Sequence, residues 1–312
     1  MQHKIGSVIN FCTNDVRFLA ECVNNAKQIS SQVVISVCDH FFDGKEENYP
    51  LLESIYNRFT DCLFIEFAFD PEAPYGKNAP FLEDDLERIH HWHNSGRLVP
   101  FYFLDPSIEY IFFLDVDEIV DAQKFNEWLD GFNYRQFSAH RFPSYWYFRE
   151  ARYRATTFPV TSLMVEKAAL NPDLLLDLDE RMGVFYNLKG EKNLHSWGLD
   201  EKPMIHHYSW VRTKEEMLKK VHSWGHHWER NWDQLISEEY SRNFNGKDFV
   251  RYYEYETIEP HFDPLVLEMP EYSVKISLER HIQNIQKCTN VRRVNARDIF
   301  RMDLSFKFGL GL

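Results

Sequence analysis

The run Tyr110-Ile111-Phe112-Phe113-Leu114 is followed directly by Asp115-Val116-Asp117, so an apolar segment ends abruptly at two carboxylates. A strand that is apolar on both faces must be covered on both faces, the usual condition of a parallel strand between helix layers. Alternation sends the side chains of an Asp-x-Asp element to the same side, where the turn lets both approach one hard divalent cation. Glu118 and Asp121 add negative charge nearby. Burying so much like charge calls for a cation, a basic partner or protonation. The plainer alternative is a capped, solvated strand end.

The segments before this run alternate in the same manner. Ile5 to Phe11 reads as a strand, and Asn14 is placed to cap an amphipathic helix with Val16, Leu19, Cys22, Val23 and Ile29 at helical spacing. Val33 to Val37 forms a second strand ending at Cys38-Asp39, before a turn at Asp43-Gly44. A helix over Leu51 to Phe59, a strand over Leu63 to Phe69, a loop with Pro71, Pro74, Gly76 and Pro80, and a helix over Glu83 to Leu98 follow. This alternation predicts an α/β fold with a mostly parallel sheet and right-handed crossovers. Ligands then collect at the carboxyl ends of the strands, where Thr13, Asp39 and Asp115 lie.

Past Asp121 the pattern changes. Phe137 to Phe148 and Thr156 to Val165 are aromatic or β-branched runs, Glu215 to Trp228 reads as a helix after Thr213, and Ser277 to Lys287 as another beyond Pro260, Pro264 and Pro270. The expected organisation is a ligand-binding half over 1–121, an acceptor-side half of the same domain over 122–246, and a mixed or helical extension over 247–312. The basic residues Arg292, Arg293, Arg297 and Arg301 read as a solvated segment, with an acidic membrane surface as the alternative.

Composition narrows the function. A net charge of −13 in 312 residues disfavours nucleic acid as a partner, because phosphate backbones require a basic stripe. No stretch reaches the roughly eighteen apolar residues that span a bilayer. Met1 to Phe11 lacks a small-residue cleavage site and reads as a first strand rather than a signal peptide. Cys12, Cys22, Cys38, Cys62 and Cys288 form no Cys-x-x-Cys pair, so the expected location is a reducing compartment, the cytoplasm. The clusters Tyr145-Trp146-Tyr147 and His222 to Trp228 suit core packing or sugar stacking, core packing being the commoner use.

Three segments together resemble the GT-A-fold, nucleotide-sugar-dependent glycosyltransferases: Ser7-Val8-Ile9-Asn10-Phe11 with Asn14 and Phe18-Leu19; Val33 to Asp39 with Asp43-Gly44; and Phe112-Phe113-Leu114-Asp115-Val116-Asp117-Glu118. The resemblance covers about the first 120 residues. It implies a Rossmann-like central sheet flanked by helices and transfer of a sugar from a UDP- or GDP-sugar to a hydroxyl of a glycan or other acceptor. Asn10, Thr13, Asp39 and Asp115 would then contact the nucleotide, with a turn-capping role as the alternative for Asp39. Asp115 would face ribose or metal, and Asp117 would be the more direct ligand of Mn²⁺ or Mg²⁺ on the diphosphate. The fold commonly adds a late His. Here that is His207, which shares a strand face with Ser209, or its neighbour His206 on the opposite face. Either one is equally well read as an ordinary hydrogen-bonded histidine, and His195 is a third candidate. His222, His226 and His227 read as helix-surface residues.

An inverting transfer needs a carboxylate base, for which Asp179 and Glu180 are the candidates, although acidic clusters are usually solvated loops. Arg149, Arg152 and Arg154 suit either a diphosphate or acceptor contact or surface ion pairs. Two rival readings remain. One is a haloacid-dehalogenase-type phosphatase with Asp115 as nucleophile, disfavoured because such a motif opens its domain. The other is a carbohydrate-binding protein without catalysis.

Overall fold

The computed structural model describes residues 3–41, 44–68, 85–223, 229–267, 274–295, 298 and 301–302, with the backbone alone for 85–92. Its first part runs β1 (Ile5–Phe11), α1 (Val16–Ile29), β2 (Gln32–Cys38), α2 (Tyr49–Arg58), β3 (Leu63–Phe67), α3 (Asp85–Phe101) and β4 (Tyr110–Asp115), in the order expected from the sequence. Then come β5 (Glu118–Val120), α4 (Ala122–Gly131), β6 (Ala139–Phe148), β7 (Glu150–Ala155), β8 (Val160–Glu166), α5 (Pro172–Leu175), α6 (Glu180–Asn187) and β9 (Lys192–Asn193). The chain continues through β10 (Ile205–Trp210), α7 (Lys214–Ser223), α8 (Trp232–Tyr240), β11 (Tyr255–Thr257), α9 (Leu278–Ile285) and β12 (Val291–Val294). The Pro-rich loop, Asp43, His226, His227, Pro270 and Arg297 lie outside the described residues.

The sheet order is β11-β7-β6-β8-β4-β1-β2-β3-β12, with β10 pairing β5 and β6 to one side. β4, β1, β2, β3 and β12 are mutually parallel, whereas β8 is antiparallel to both β4 and β6. The sheet is therefore mixed, parallel only in the part built by the strand–helix alternation. The segment beyond 247 contains β11, α9 and β12. It returns to supply both outer strands, β11 on β7 and β12 on β3.

In-register pairing makes each level of the parallel strands a row. Ile9, Ile35 and Leu114 face α1, α2 and α4, and Val8, Val34 and Phe113 face α3. The next row on the α3 face is Asn10, Ser36 and Asp115, at the carboxyl ends of the strands. α3 lies close over it at Gly96, where a Cβ would stand 2.8 Å from Asn10 Oδ1.

Local capping matches the sequence in part. Asp121 accepts from Lys124 N at 3.1 Å and caps α4, so its charge serves a helix end. Asn14 does not cap α1. It sits in the short 3-10 turn Thr13–Asp15, and its amide donates to Ser223 Oγ at 2.9 Å. Tyr145, Trp146 and Tyr147 are buried, so these aromatics pack the core. All five cysteines are free thiols, and among the described residues no helix is long and apolar enough to cross a membrane.

A buried ion network ties the last strand to the parallel sheet. Arg293 of β12 donates to Asp39 at 2.6 Å and also bonds Glu66, which in turn accepts from Tyr56 OH at 2.7 Å. His281 of α9 lies fully buried between Glu66 (2.8 Å) and Glu53 (3.0 Å). Burial by itself would depress this imidazole, but the bonds to Glu66 and Glu53 outweigh it and raise its pKa. The folded state thus holds a proton more tightly than the unfolded chain. The stabilisation is complete below the ordinary histidine value of about 6.5 and is lost as pH rises through the elevated one. In urea titrations at pH 6 and pH 9 the unfolding midpoint of the wild type should fall more than that of His281→Gln. Equal falls would mean that His281 holds no extra proton.

Candidate functional site

A cavity of about 650 Å³ opens at the carboxyl ends of β1, β2 and β4, within the range of small-molecule sites. Asn10, Ser36 and Asp115 line it from the parallel strands, Gly96 and His93 from α3, Trp146 from β6, His207 and Ser209 from β10, and Lys220 from α7.

The carboxylates that end β4 are neutralised by basic side chains. Arg181, on α6, donates to Asp115 at 2.8 Å and to Glu118 at 2.5 Å. Arg97, on α3, reaches Asp115 at 3.5 Å and Glu180 at 3.4 Å. Burial would raise the Asp115 carboxyl, but Arg181, Arg97 and His93 hold it below the usual carboxylate range. Asp117 has a separate set of cations. Lys220 and Arg212 each lie 3.6 Å from Oδ2, and His207 Nε2 lies 3.4 Å from Oδ1. Burial again acts upward and is outweighed by Lys220, His207 and Arg212, so Asp117 is also depressed. Arg212 is itself anchored by Asp15 and by Ser209 O at 2.8 Å.

The choice between the two late histidines follows from strand pairing. β10 runs antiparallel to β5 with His207 opposite Glu118, which turns His207 toward Asp117 and the cavity. His206 faces the other way. Its Nδ1 shares a hydrogen bond with Tyr147 OH at 2.7 Å, and its ring stacks on His261 with centroids 4.2 Å apart. Its pKa is driven well down, chiefly by burial. His195 is exposed and away from the cavity, and His222 pairs with Asp233 at the surface.

The other expected site residues divide. Asn10 lines the cavity, and its Oδ1 is buried without a hydrogen-bond partner among the described residues, as are Asn14 Oδ1 and Ser36 Oγ. Thr13 is committed to Glu47, donating through both N–H (3.2 Å) and hydroxyl. Glu47 lines the cavity, and burial pushes its pKa up to about 7 against the hydrogen bonds from Thr13 and Asn48. Asp39 does not line the cavity. Its carboxylate is taken up by Arg293 and by His40 Nδ1 at 2.7 Å, a structural role that the sequence left open as a turn cap. Asp179 and Glu180 both reach the rim, Glu180 between Arg97 and His93 (3.5 Å). Arg149 bonds Glu239 and Arg242 O, Arg152 pairs with Glu150 and Arg154 with Glu256, so the ion-pair reading holds for all three.

Asp117 and His207 could supply part of a shell for a divalent cation. Two donors each about 2.2 Å from one ion at near right angles stand about 3.1 Å apart, and Asp117 Oδ1 and His207 Nε2 are 3.4 Å apart. Among the described residues Oδ1 is buried with only the His207 ring beside it, at 3.4 Å, which fits a ligand atom. Asp115 contributes no such atom, because both its oxygens face guanidinium groups. Among the described residues no three His, Cys, Asp or Glu side chains are grouped to hold a metal alone, so the remaining ligands would come from the bound substrate.

Sequence reading missed Arg97, Arg181, Arg212 and Lys220. A weak signal existed for the first: His93 and Arg97 are four apart on a helix and so share a face. Because Arg181 is the shared partner of the buried Glu118 and the part-buried Asp115, Arg181→Met should destabilise the fold by about 3–5 kcal/mol in chemical denaturation. A loss under about 1 kcal/mol would show that these carboxylates do not depend on it.

No protein-family model matches the chain, and neither does any curated protein sequence. Among solved structures it is similar to the inositol-1-phosphate CTP transferase from T. maritima (8% identity, 70% of this chain and 95% of that one, TM-score 0.39). It is also similar to a glycosyltransferase involved in glycosylation of the major capsid of PBCV-1 (12%, 68% and 96%, TM-score 0.33) and to S. aureus TarS 1-349 (12%, 98% and 92%, TM-score 0.38). With TM-scores of 0.39 and below, these are distant likenesses of shape, and the site is interpreted from its own residues.

Proposed function

We propose that the cavity binds a UDP- or GDP-sugar and transfers its sugar to a hydroxyl of a glycan or other acceptor, on a GT-A-like frame and with Mn²⁺ or Mg²⁺. The observation that carries this reading is the pairing of Asp117 with His207 at the carboxyl ends of parallel strands, with Lys220 and Arg212 3.6 Å from Asp117. Asn10, Asn14 and Ser36 offer buried polar atoms to a base and ribose on the β1 and β2 side. Lys220 supplies positive charge for a diphosphate. Asp117 and His207 would hold the metal, which when bound neutralises charge on the leaving nucleoside diphosphate.

The acceptor enters from the β6, β8 and α6 side, where Asp179 and Glu180 stand at the rim. Glu180 is engaged by Arg97 and His93, whereas the Asp179 carboxylate has no ion-pair partner among the described residues. Asp179 is therefore the better-placed base for an inverting transfer. A phosphatase using Asp115 as nucleophile is disfavoured by chemistry, since Arg181 and Arg97 stabilise the carboxylate that would have to attack. The five free thiols suit a cytoplasmic location.

Thermal-shift screening of nucleotide sugars with and without Mn²⁺ tests the reading directly. A donor should raise the melting temperature, more so with metal, and Asp117→Asn should abolish metal-dependent transfer while the protein remains folded. Full transfer activity in Asp117→Asn would remove the assignment. No shift with any donor would remove the donor site.

A further inference from the structure

Arg141 is a charged residue near the start of β6, between His140 and Phe142, and 7% of it is exposed. Its Nη2 donates to Val160 O at 2.8 Å and to Thr161 O at 3.4 Å, both backbone carbonyls of β8. Its Nε is buried with no hydrogen-bond partner, and no carboxylate among the described residues lies within ion-pairing distance of the guanidinium. Glu118 attracts it but is already bonded to Arg181, and Arg181 itself repels Arg141. Burial and this repulsion push the Arg141 pKa down to about 10, so the group stays charged at neutral pH. A buried charge with carbonyl partners alone is unfavourable unless a counter-ion arrives.

Register places this charge. Arg141 pairs with Leu163 of β8, and Leu163 pairs with Phe113 of β4, two residues before Asp115. Arg141 therefore lies on the same sheet face as Asp115, Asn10 and Ser36, and it lines the same cavity. β6 is three strands from β1 in the sheet order, about 14 Å at the usual strand spacing. That separates Arg141 from the Asn10 and Ser36 end of the cavity.

We propose that Arg141 forms an oxyanion subsite on the acceptor side of the cavity, so that the acceptor carries a phosphate or carboxylate group beside its reacting hydroxyl. This rests on the transferase reading for the word acceptor, but the subsite itself can be tested without it. Among the described residues nothing accepts the Nε–H, and its edge partner Nη2 is held by the β8 carbonyls, so the rigid fork offers an oxyanion one fixed donor direction that a lysine cannot reproduce.

Inorganic phosphate titrated calorimetrically into the full chain is the primary probe, with UDP and GDP plus Mn²⁺ titrated separately. Glucose 6-phosphate, glucuronate and neutral glucose distinguish a phosphate from a carboxylate source. Arg141→Lys, which keeps the charge and the means to bond Val160 O, should weaken phosphate binding by about tenfold. It should leave UDP or GDP affinity within about twofold, and with UDP and Mn²⁺ saturating the donor side Lys220→Gln should leave phosphate affinity within the same margin. Arg141→Met should abolish phosphate binding, with its circular-dichroism melt confirming a folded protein. Binding of glucose 6-phosphate or glucuronate but not glucose supports the subsite. Unchanged phosphate affinity in Arg141→Lys, an equal loss in Lys220→Gln, or no phosphate binding by the wild type would each overturn it. Failure of both UDP and GDP to bind would instead count against the donor reading, leaving the phosphate arm to decide Arg141.

Discussion

Three carboxylates stand within four residues at the end of the central strand β4, and the rest of the structure is arranged around their charge. Asp115 and Glu118 share Arg181, Asp115 also faces Arg97, and Asp117 lies among Lys220, Arg212 and His207. These basic groups come from α3, α6, β10, the turn after it and α7, so neutralising one short turn draws together the helix before β4 and two later parts of the chain. Desolvation of each carboxylate would otherwise oppose folding by several kcal/mol. Such pairs add little net stability compared with an apolar core, but they leave a polarised cavity that a hydrophobic core could not provide. The helix α3 reaches this turn because Gly96 leaves room above Asn10.

The same principle operates at the other edge of the sheet. Asp39 ends β2 as Asp115 ends β4, yet its neutralising group, Arg293, arrives from the last strand and leaves it enclosed. One strand-end carboxylate thus became part of a structural network that fastens β12, while the other kept a side facing the cavity. The difference lies in what packs against each strand end, and nothing in Cys38-Asp39 or Leu114-Asp115 distinguishes them locally.

A chemical division of the cavity follows from the sheet. The parallel part presents short polar side chains, Asn10 and Ser36, in one row, because in-register parallel strands bring equivalent positions level. The antiparallel part presents Arg141 and Trp146 from β6.

The sequence alone was enough for the features that depend on local periodicity. Apolar runs at β1, β2, β3 and β4 and the helical spacing after Asn14 determine the parallel core, since each element reports its own burial pattern. Alternation along Ile205-His206-His207-Tyr208-Ser209 correctly separated the two histidines onto opposite faces, and the pairing with β5 then turned His207 inward. Arg141 also carried a local signal, the one Lys, Arg, Asp or Glu in the aromatic-rich stretch Phe137 to Phe148. Which cation meets which carboxylate was decided only by tertiary structure: Arg181 lies 66 residues from Asp115, and Arg293 lies 254 from Asp39. Ion pairing is set by distance in space, and an isolated Arg on a helix has the same local pattern whether it meets water or a buried Asp. The antiparallel half and the return of β11 and β12 to the sheet edges belong to the same class, because strand pairing joins residues whose sequences are individually compatible with several partners.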